Sequence, residues 1–339
     1  EFRRVLFRSS LPGMLYAAIE MAPVHGGRLT GVDTAAAEAM PGVVRVVRLD
    51  DAVAVVADSF WRARRALATL TPQFSDAGHG DVSSASIFQQ FETAVGGAPS
   101  LPGAAVRRIE AVYRAPFLAH ATMEPMTCLA KVDATGADIW AGVQDPLNAR
   151  HIAAKALGID VDQVRLTNHL LGGGFGRRLP YTFDYIDLGV RIAKALSPTP
   201  VKVIWTREND IQHDYYRPAA LSSHAAGFDA AGALVAVSST YTGGGDGEAT
   251  ALPYDIASKK THEAKAEHPI RLGQWRSVMN SQHGFFKESF IDECAHAANA
   301  DPYEFRRSLL LEQPRHRAVL EKAAALASWG TPLPAGEGR

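Results

Sequence analysis

The chain has 339 residues, 47% of them hydrophobic, and a formal net charge of −1, an ordinary globular composition long enough for more than one core. Acids and bases are spread along it, which argues against a nucleic-acid binder with one basic face, and no apolar run approaches the roughly 20 residues that span a bilayer. Cys128 and Cys294 stand far apart in no Cys-x-x-Cys or His/Cys cluster, so the chain carries no iron–sulfur or structural zinc site of its own, and a disulfide framework is disfavoured.

Residues 1–9 are an arginine-rich stretch without an initiating methionine; they match neither a signal peptide nor a domain start and are set apart from the fold. Asp33 caps a short helix over 34–40, closed by Pro41 and Gly42, and strands follow at 43–47 and 52–57, then a helix over 60–70. Residues 10–72 make a first expected domain. From 73 to 103 the composition turns to Gly, Ser, Asp and Pro around one weak helical patch at 87–95, the pattern of a domain connection. A second domain is expected over 104–332. It opens with a strand at 106–113 and a hairpin, 127–132 with 138–141, turned by Asp133 to Gly136. Asp145 as N-cap and Pro146 at the first helical position start a helix that runs through Leu157, a placement suited to proline's fixed φ and missing N–H. A strand at 164–170, a helix at 181–195, a strand at 201–206 and a hairpin, 221–228 with 233–241, come next. Helices over 284–298, 302–310 (capped by Asp301) and 317–328 close the pattern, and 333–339 reads as a Pro/Gly-rich linker. Hairpins and helices interleaved in this way predict an α+β fold rather than a doubly wound parallel sheet.

The most informative segment is Leu171, Gly172, Gly173, Gly174, Phe175, Gly176, Arg177, Arg178. Glycines let backbone N–H groups approach a ligand without a Cβ in the way. A dinucleotide fingerprint fails, because Arg177 stands at the third glycine position and no acid lies near 20 residues further on. A Walker loop fails for want of Gly-Lys-Ser/Thr. The plain alternative is a tight strand-to-helix connection. Phe175, a bulky ring within the glycines, points instead to a flat substrate or a cofactor.

The loop, with Val143, Gln144, Asp145 and Pro146 before it and Trp205, Thr206, Arg207 and Glu208 after it, resembles the molybdenum-binding subunit of the xanthine dehydrogenase and aldehyde oxidase family. The branch it resembles most is the isoquinoline 1-oxidoreductase beta-subunit type. Residues 11–19 (LPGMLYAAI), 53–62 (VAVVADSFWR), 120–126 (HATMEPM), 275–280 and 290–310 look familial too. The resemblance implies an α/β hammerhead domain followed by part of the molybdenum cofactor-binding domain. It implies molybdenum-molybdopterin, in the cytosine dinucleotide form, with iron–sulfur clusters on a small [2Fe-2S] partner subunit and a cytochrome c subunit as electron acceptor. Gln144 would hydrogen-bond the metal's apical oxo group. Gly173, Gly174, Phe175 and Gly176 would face the cofactor, with N–H groups from 174 to 176 approaching it. Phe175 would also help form the substrate slot. Arg276 would steer substrate, and Arg306 would lie near the pterin; arginine's fixed fork suits a carbonyl, carboxylate or phosphate. No residue here would ligate the metal directly. The family's reaction is hydroxylation with water as the oxygen source, and its glutamate base would lie beyond Arg339, so the chain is expected to be a fragment inactive alone. Relatives in this branch are often exported folded, which favours the periplasm over the cytoplasm.

Two departures bear on the substrate. Leu179 stands where xanthine-oxidising members carry a glutamate, and Ser277 and Val278 follow Arg276 where they carry a glycine and an aromatic. Purine hydroxylation is disfavoured, and an N-heteroaromatic or aldehyde substrate is expected. The rival readings are a non-catalytic assembly module of the same fold and a nucleotide-dependent dehydrogenase. His262, Glu263 and His268 are a poor zinc-protease match, since histidines six apart do not share a helix face; they read as solvated surface. His120 and Glu124 read either as a structural pair or as groups at a substrate entrance.

Overall fold

The structure, a computed structural model, describes residues 9–101 and 105–338. Residues 1–8 of the stretch set apart over 1–9, residues 102–104 at the expected domain boundary, and Arg339 lie outside the described residues. In chain order the elements are β1 (Leu15–Met21), β2 (Leu29–Gly31), α1 (Ala35–Glu38), β3 (Val43–Arg48), β4 (Ala52–Ala57), α2 (Phe60–Leu67), β5 (Gln73–Phe74), α3 (Ser84–Val95), β6 (Arg107–Ala115), β7 (Thr127–Asp133), β8 (Gly136–Ala141) and α4 (Pro146–Leu157). They continue with β9 (Val164–Asn168), α5 (Asp184–Ala195), β10 (Val201–Ile204), α6 (Arg207–Gln212), β11 (Ala220–Phe228), β12 (Leu234–Thr242), α7 (Gly247–Thr250), β13 (Ser258–Glu263), α8 (Asn280–Ala297), α9 (Pro302–Ser308) and α10 (Pro314–Leu326).

Two compact units arise, each from discontinuous segments: residues up to 82 with 117–217 and 269–276, and residues 83–116 with 218–268 and everything from 277. Both units thus draw on segments from either side of long stretches of the chain. Strand β1 pairs in parallel with β10, Leu15 opposite Val201, so β1, β3 and β4 of the 10–72 segment share one sheet with strands from 127–204, while β2 pairs with β5 in a separate two-stranded sheet. A parallel pairing between strands so distant in sequence leaves no mark on local periodicity.

The first unit is built on a seven-stranded sheet ordered β3-β4-β1-β10-β7-β8-β9. Pairs β1/β10 and β8/β9 are parallel and the rest antiparallel. Every residue of β4 is buried. Its Ala54 and Val56 face a core with Leu129, Ile139, Ile186 and Trp205, while Val53 and Val55 face Ala37, Ala66 and Leu70. Helix α5 lies close on β7: a Cβ at Gly189 would come 2.6 Å from Cys128 Sγ. The α4 cap is as the sequence implies, Asp145 accepting from Asn148 N at 3.0 Å with Gly158 left-handed at the far end. At α1 the cap differs. Thr34 occupies the N-cap without a side-chain bond, and Asp33 accepts from Ala35 N at 3.0 Å. Helix α5 begins at 184 rather than 181, because Tyr181 takes φ +74, outside the helical region.

The second unit has a four-stranded sheet ordered β13-β12-β11-β6. Strand β11, buried along its length, is antiparallel to both neighbours. Its hairpin with β12 turns at Asp229, whose Oδ1 accepts from Ala231 N and Ala233 N, both at 2.9 Å. Phe228, Val237, Phe290, Ile291, Cys294 and Phe305 meet in the core. The weak patch at 87–95 belongs to α3, which is held by a capping box between Ser83 and Ser86. Strand β13 was not foreseen. It is a largely exposed edge strand, sequence SKKTHE, parallel to β12, and charged edge strands lack the alternation that marks a half-buried one. Both cysteines are free and buried. Among the described residues no helix is long and apolar enough to cross a membrane.

Candidate functional site

The glycine loop leaves β9 and reaches α5 within the first unit. Its shape is fixed by close approaches. A Cβ at Gly172 would come 2.6 Å from Glu124 Cβ, one at Gly174 would come 2.4 Å from Gln144 Oε1, and one at Gly176 would come 2.0 Å from Gln274 O. Gly173 and Gly176 also take φ +100 and +113, where a side chain is strained. Phe175 sits between them at φ +56 with its ring 46% exposed.

Gln144 is exposed just ahead of α4. Its Oε1 accepts from Gly176 N at 3.2 Å and from Arg178 N at 3.3 Å, and its own N–H donates to Arg178 O at 2.8 Å. Two converging N–H donors fix which end of the amide is oxygen, and the NH₂ end remains to donate outward. Gly176 N is therefore consumed inside the loop, which corrects the expectation that it faces a ligand. The N–H groups of Gly173, Gly174 and Phe175 have no acceptor among the described residues. Three adjacent donors without an internal acceptor are the kind of donor set that backbone nests offer to an anion or oxygen.

Behind the loop lie two fully buried arginines that the sequence reading treated only as a departure from a fingerprint. Arg178 donates from Nε to Gly173 O at 3.1 Å, from Nη1 to Gly142 O at 3.1 Å, and from Nη2 to Glu124 O at 2.9 Å and Glu124 Oε2 at 3.3 Å. The same Glu124 oxygen accepts from Gly172 N at 2.8 Å. Arg177 lies between Asp184, at 2.9 Å, and Asp214, also at 2.9 Å, and donates to Thr182 O at 2.6 Å. Burial opposes its charge, but the two carboxylates outweigh burial and its pKa is raised. A doublet of arginines between a glycine run and Leu-Pro was the available signal. Lys and Arg are almost never fully buried unless paired, so sequence alone favoured exposure.

The segment 274–276 lies over the loop. Arg276 N donates to Phe175 O at 2.8 Å, so the structure brings Arg276, exposed, beside Phe175. Arg306 is in the second unit, and its guanidinium donates to Glu288 Oε2 at 3.0 Å, Glu288 O at 2.8 Å, Pro302 O at 3.3 Å and the Asp292 carboxylate. Its fork is taken up holding α9 on α8. His120 and Glu124 do not pair with each other: His120 bonds Asp214, and Glu124 bonds Arg178. His262 and Glu263 are exposed on β13, an extended strand, while His268 is half-buried with its ring 6.0 Å from that of Phe91. Among the described residues no group of His, Cys, Asp or Glu could hold a metal ion.

A family model described as the molybdopterin cofactor-binding domain matches residues 85–310, more than half of the chain. The chain belongs to the molybdopterin cofactor-binding domain family. Isoquinoline 1-oxidoreductase subunit beta of Brevundimonas diminuta is 29% identical over 365 aligned positions, covering 94% of this chain and 46% of that protein. The membrane-bound aldehyde dehydrogenase [pyrroloquinoline-quinone] of Gluconacetobacter polyoxogenes is 28% identical over 386, covering 96% of this chain and 50% of that protein. The solved structure of quinoline 2-oxidoreductase from Pseudomonas putida 86 shares the fold, with a TM-score of 0.71 at 16% identity over 96% of this chain and 52% of that one. This molybdopterin-family chain thus spans about half the length of the curated relatives it matches. The glycine loop and Gln144 fall inside the matched region, whereas β1 to β4 lie ahead of it.

Proposed function

We propose that this chain is part of the molybdenum-cofactor subunit of a hydroxylase that oxidises an N-heteroaromatic or aldehyde substrate, with water as the oxygen source. The observation that carries the reading is the row of unpartnered N–H groups at Gly173, Gly174 and Phe175, set beside the outward NH₂ of Gln144. Those donors fit a cofactor rich in oxygen acceptors, and the absence of a Cβ at 173 and 174 lets it approach. When bound, the molybdenum centre supplies the two-electron oxidation of a substrate carbon. The work of this chain is binding and orientation. Gln144 donates from its amide nitrogen while its oxygen holds the loop closed, and the exposed Phe175 ring offers one flat wall for a planar substrate. Arg276 presents a guanidinium to an electron-rich substrate atom beside that wall. Leu179, half-buried, gives a purine no carboxylate to bind. We assign Arg306 to the packing of α9 on α8 rather than to the pterin.

In the same reading, residues 10–72 correspond to the α/β hammerhead of the family and the segment from 104 to the first cofactor-binding domain. The cofactor is the cytosine dinucleotide form, electrons leave through a small [2Fe-2S] subunit to a cytochrome c, and the compartment is the periplasm. No residue of this chain is assigned as the base. A nucleotide-dependent dehydrogenase is disfavoured, because Arg177 at the third glycine position is locked between two aspartates.

Metal analysis and isotope labelling test the proposal. In the assembled enzyme, Gln144→Ala and Gly174→Ala should lower molybdenum per subunit while Gly158→Ala leaves it unchanged, and product formed in ¹⁸O-water should carry the label. A quinone in place of molybdenum would overturn the cofactor assignment. Bound cofactor without turnover, with all partners supplied, would favour the assembly module. Stoichiometric molybdenum and full turnover by the 339-residue chain alone would refute the division of labour between this chain and the rest of the enzyme.

A further inference from the structure

The 274–276 segment is held on the loop by more than the bond from Arg276 N to Phe175 O. The carbonyl of Gln274 lies over Gly176, where a Cβ would come within 2.0 Å, and it faces Nε2 of His120 at 2.7 Å. On the other side of the ring, His120 Nδ1 lies 3.0 Å from Asp214 Oδ2 and 3.1 Å from Oδ1. Both side chains are almost fully buried, at 0% and 1% exposure. The indole of Trp275 packs against the imidazole at a centroid distance of 4.5 Å.

Each ring nitrogen of His120 therefore meets an acceptor. A carbonyl oxygen cannot donate. Asp214 accepts from His120 N and from Tyr215 N at 2.7 Å and pairs with the Arg177 guanidinium at 2.9 Å, so it meets the ring as an acceptor. Only the doubly protonated ring makes both bonds. A neutral ring that keeps the Asp214 bond turns a lone pair toward Gln274 O and loses the bond there. The other charges around this ring are Asp184, which pairs with Arg177, and Arg271, which lies 3.5 Å from Asp184. Asp210 and Tyr216 act on Asp214 electrostatically.

We propose that His120 is a positioning residue whose imidazolium clamps the Gln274 carbonyl, fixing the 274–276 segment on the glycine loop and setting where Arg276 stands beside Phe175. The clamp follows from the geometry alone; its consequence for substrate rests on the function proposed above. The proton on Nε2 is what attaches the segment, since without it the ring offers Gln274 O no donor. His120 never meets the substrate.

The test uses the assembled enzyme. Hydrogen exchange at the Arg276 amide, corrected for its intrinsic rate, is followed from about pH 5 to about pH 8, the range over which histidines commonly change charge. The ring's own protonation is followed through Trp275 emission, read as wild type minus Trp275→Phe. Arg276 protection should fall about 10- to 100-fold in step with the Trp275 signal, as expected for loss of a charge-assisted hydrogen bond. His120→Gln places an amide nitrogen near the Nε2 position and should hold Arg276 protection flat with pH. His120→Asn keeps a donor only toward Asp214 and should lose protection at every pH. The wild-type series needs neither variant to fold. Arg276 protection that stays constant while Trp275 titrates overturns the clamp. If protection falls and KM rises with it at unchanged kcat, both the clamp and the steering role of Arg276 are supported. If protection falls and KM does not move, the clamp stands and the steering role fails.

Discussion

Alanine at Gly176 should be far more disruptive than alanine at another left-handed glycine of the same unit, and the structure gives the size of the difference. Gly158 closes α4 at φ +69 with nothing within 4 Å of a built Cβ, so Gly158→Ala costs only left-handed strain, about 1–2 kcal/mol. Gly176 takes φ +113, and its Cβ would come 2.0 Å from Gln274 O and 2.5 Å from the carbonyl carbon. Backbone strain of about 1–3 kcal/mol is then joined by displacement of the 274–276 segment. That displacement forfeits the bonds from His120 to Gln274 O and from Arg276 N to Phe175 O, about 1 kcal/mol or more each. The sum is about 3–5 kcal/mol. Gly174→Ala stays well below Gly176→Ala and close to Gly158→Ala, because its clash at 2.4 Å is with the movable amide of Gln144, and its cost is the two N–H bonds that Oε1 accepts, about 1–3 kcal/mol. Urea unfolding followed by circular dichroism ranks the three variants, and hydrogen exchange at Arg276 reads the segment directly. A Gly176→Ala protein no less stable than Gly158→Ala, with Arg276 equally protected, would show that the close approach of Gln274 to the loop is wrong.

Other outcomes follow from the buried charges and strained positions. Arg178→Lys keeps the charge but loses the fork that reaches four acceptors; Gly173 O is left without a donor, while Gly142 O and Glu124 keep bonds from Tyr185, Thr122 and Gly172 N, so about 1–3 kcal/mol of stability should be lost in denaturant melts. Burial lowers His224 to about 4, and burial with the nearby Arg271 lowers His213 to about 4. Both rings stay neutral in the fold while the unfolded chain takes up protons below about 6.5, so stability is full above that pH and falls toward 4, by up to about 3 kcal/mol for each ring. Burial raises Asp210 to about 6, which acts with the opposite sign: its contribution is full below about 3.9 and is lost as pH rises through 6. The urea midpoint of Asp210→Asn should therefore drop more steeply than wild type between pH 6 and 4. Ser277 takes φ +66, so Ser277→Gly relieves left-handed strain and should raise the unfolding free energy read from urea melts by about 1 kcal/mol.

The local elements were legible because their signals are local. Asp145-Pro146 marks the start of α4, Asp301 that of α9, and the Asp229 turn joins β11 to β12; each is fixed by residues within a few positions of one another. The glycine loop was legible for the same reason, and the structure gives a steric cause for Gly172, Gly174 and Gly176 individually. Long-range pairings were not legible. No feature of residues 15–21 says that their parallel partner is Val201–Ile204. The assignments at Gly176 N and Arg306 were lost to internal partners. A backbone donor or an arginine fork is available to a ligand only if the fold has not already used it, and Gln144, Glu288 and Asp292 use these.

Why the loop rests on arginines rather than on an apolar layer follows from backbone bookkeeping. A loop with this many close approaches turns carbonyls inward that no strand or helix can satisfy: Gly142 O, Gly173 O and Glu124 O all point into the space that Arg178 fills. Leucine there would leave Gly173 O without a donor, at about 1–3 kcal/mol, and would leave Gly142 O to Tyr185 Oη at 3.1 Å and Glu124 O to Thr122 Oγ1 at 2.7 Å alone. Lysine could reach few of them at once, whereas a planar fork spans all three and leaves a contact for the Glu124 carboxylate. Arg177 does the equivalent on the side of α5, tying Thr182 O and Asp184 to Asp214, and Asp214 carries the restraint on to His120. The two arginines following the glycines thus tie the loop from its inner side, while Gln144 holds Gly176 N and Arg178 N, and the N–H groups of Gly173, Gly174 and Phe175 are the ones that this scheme of internal bonds does not use.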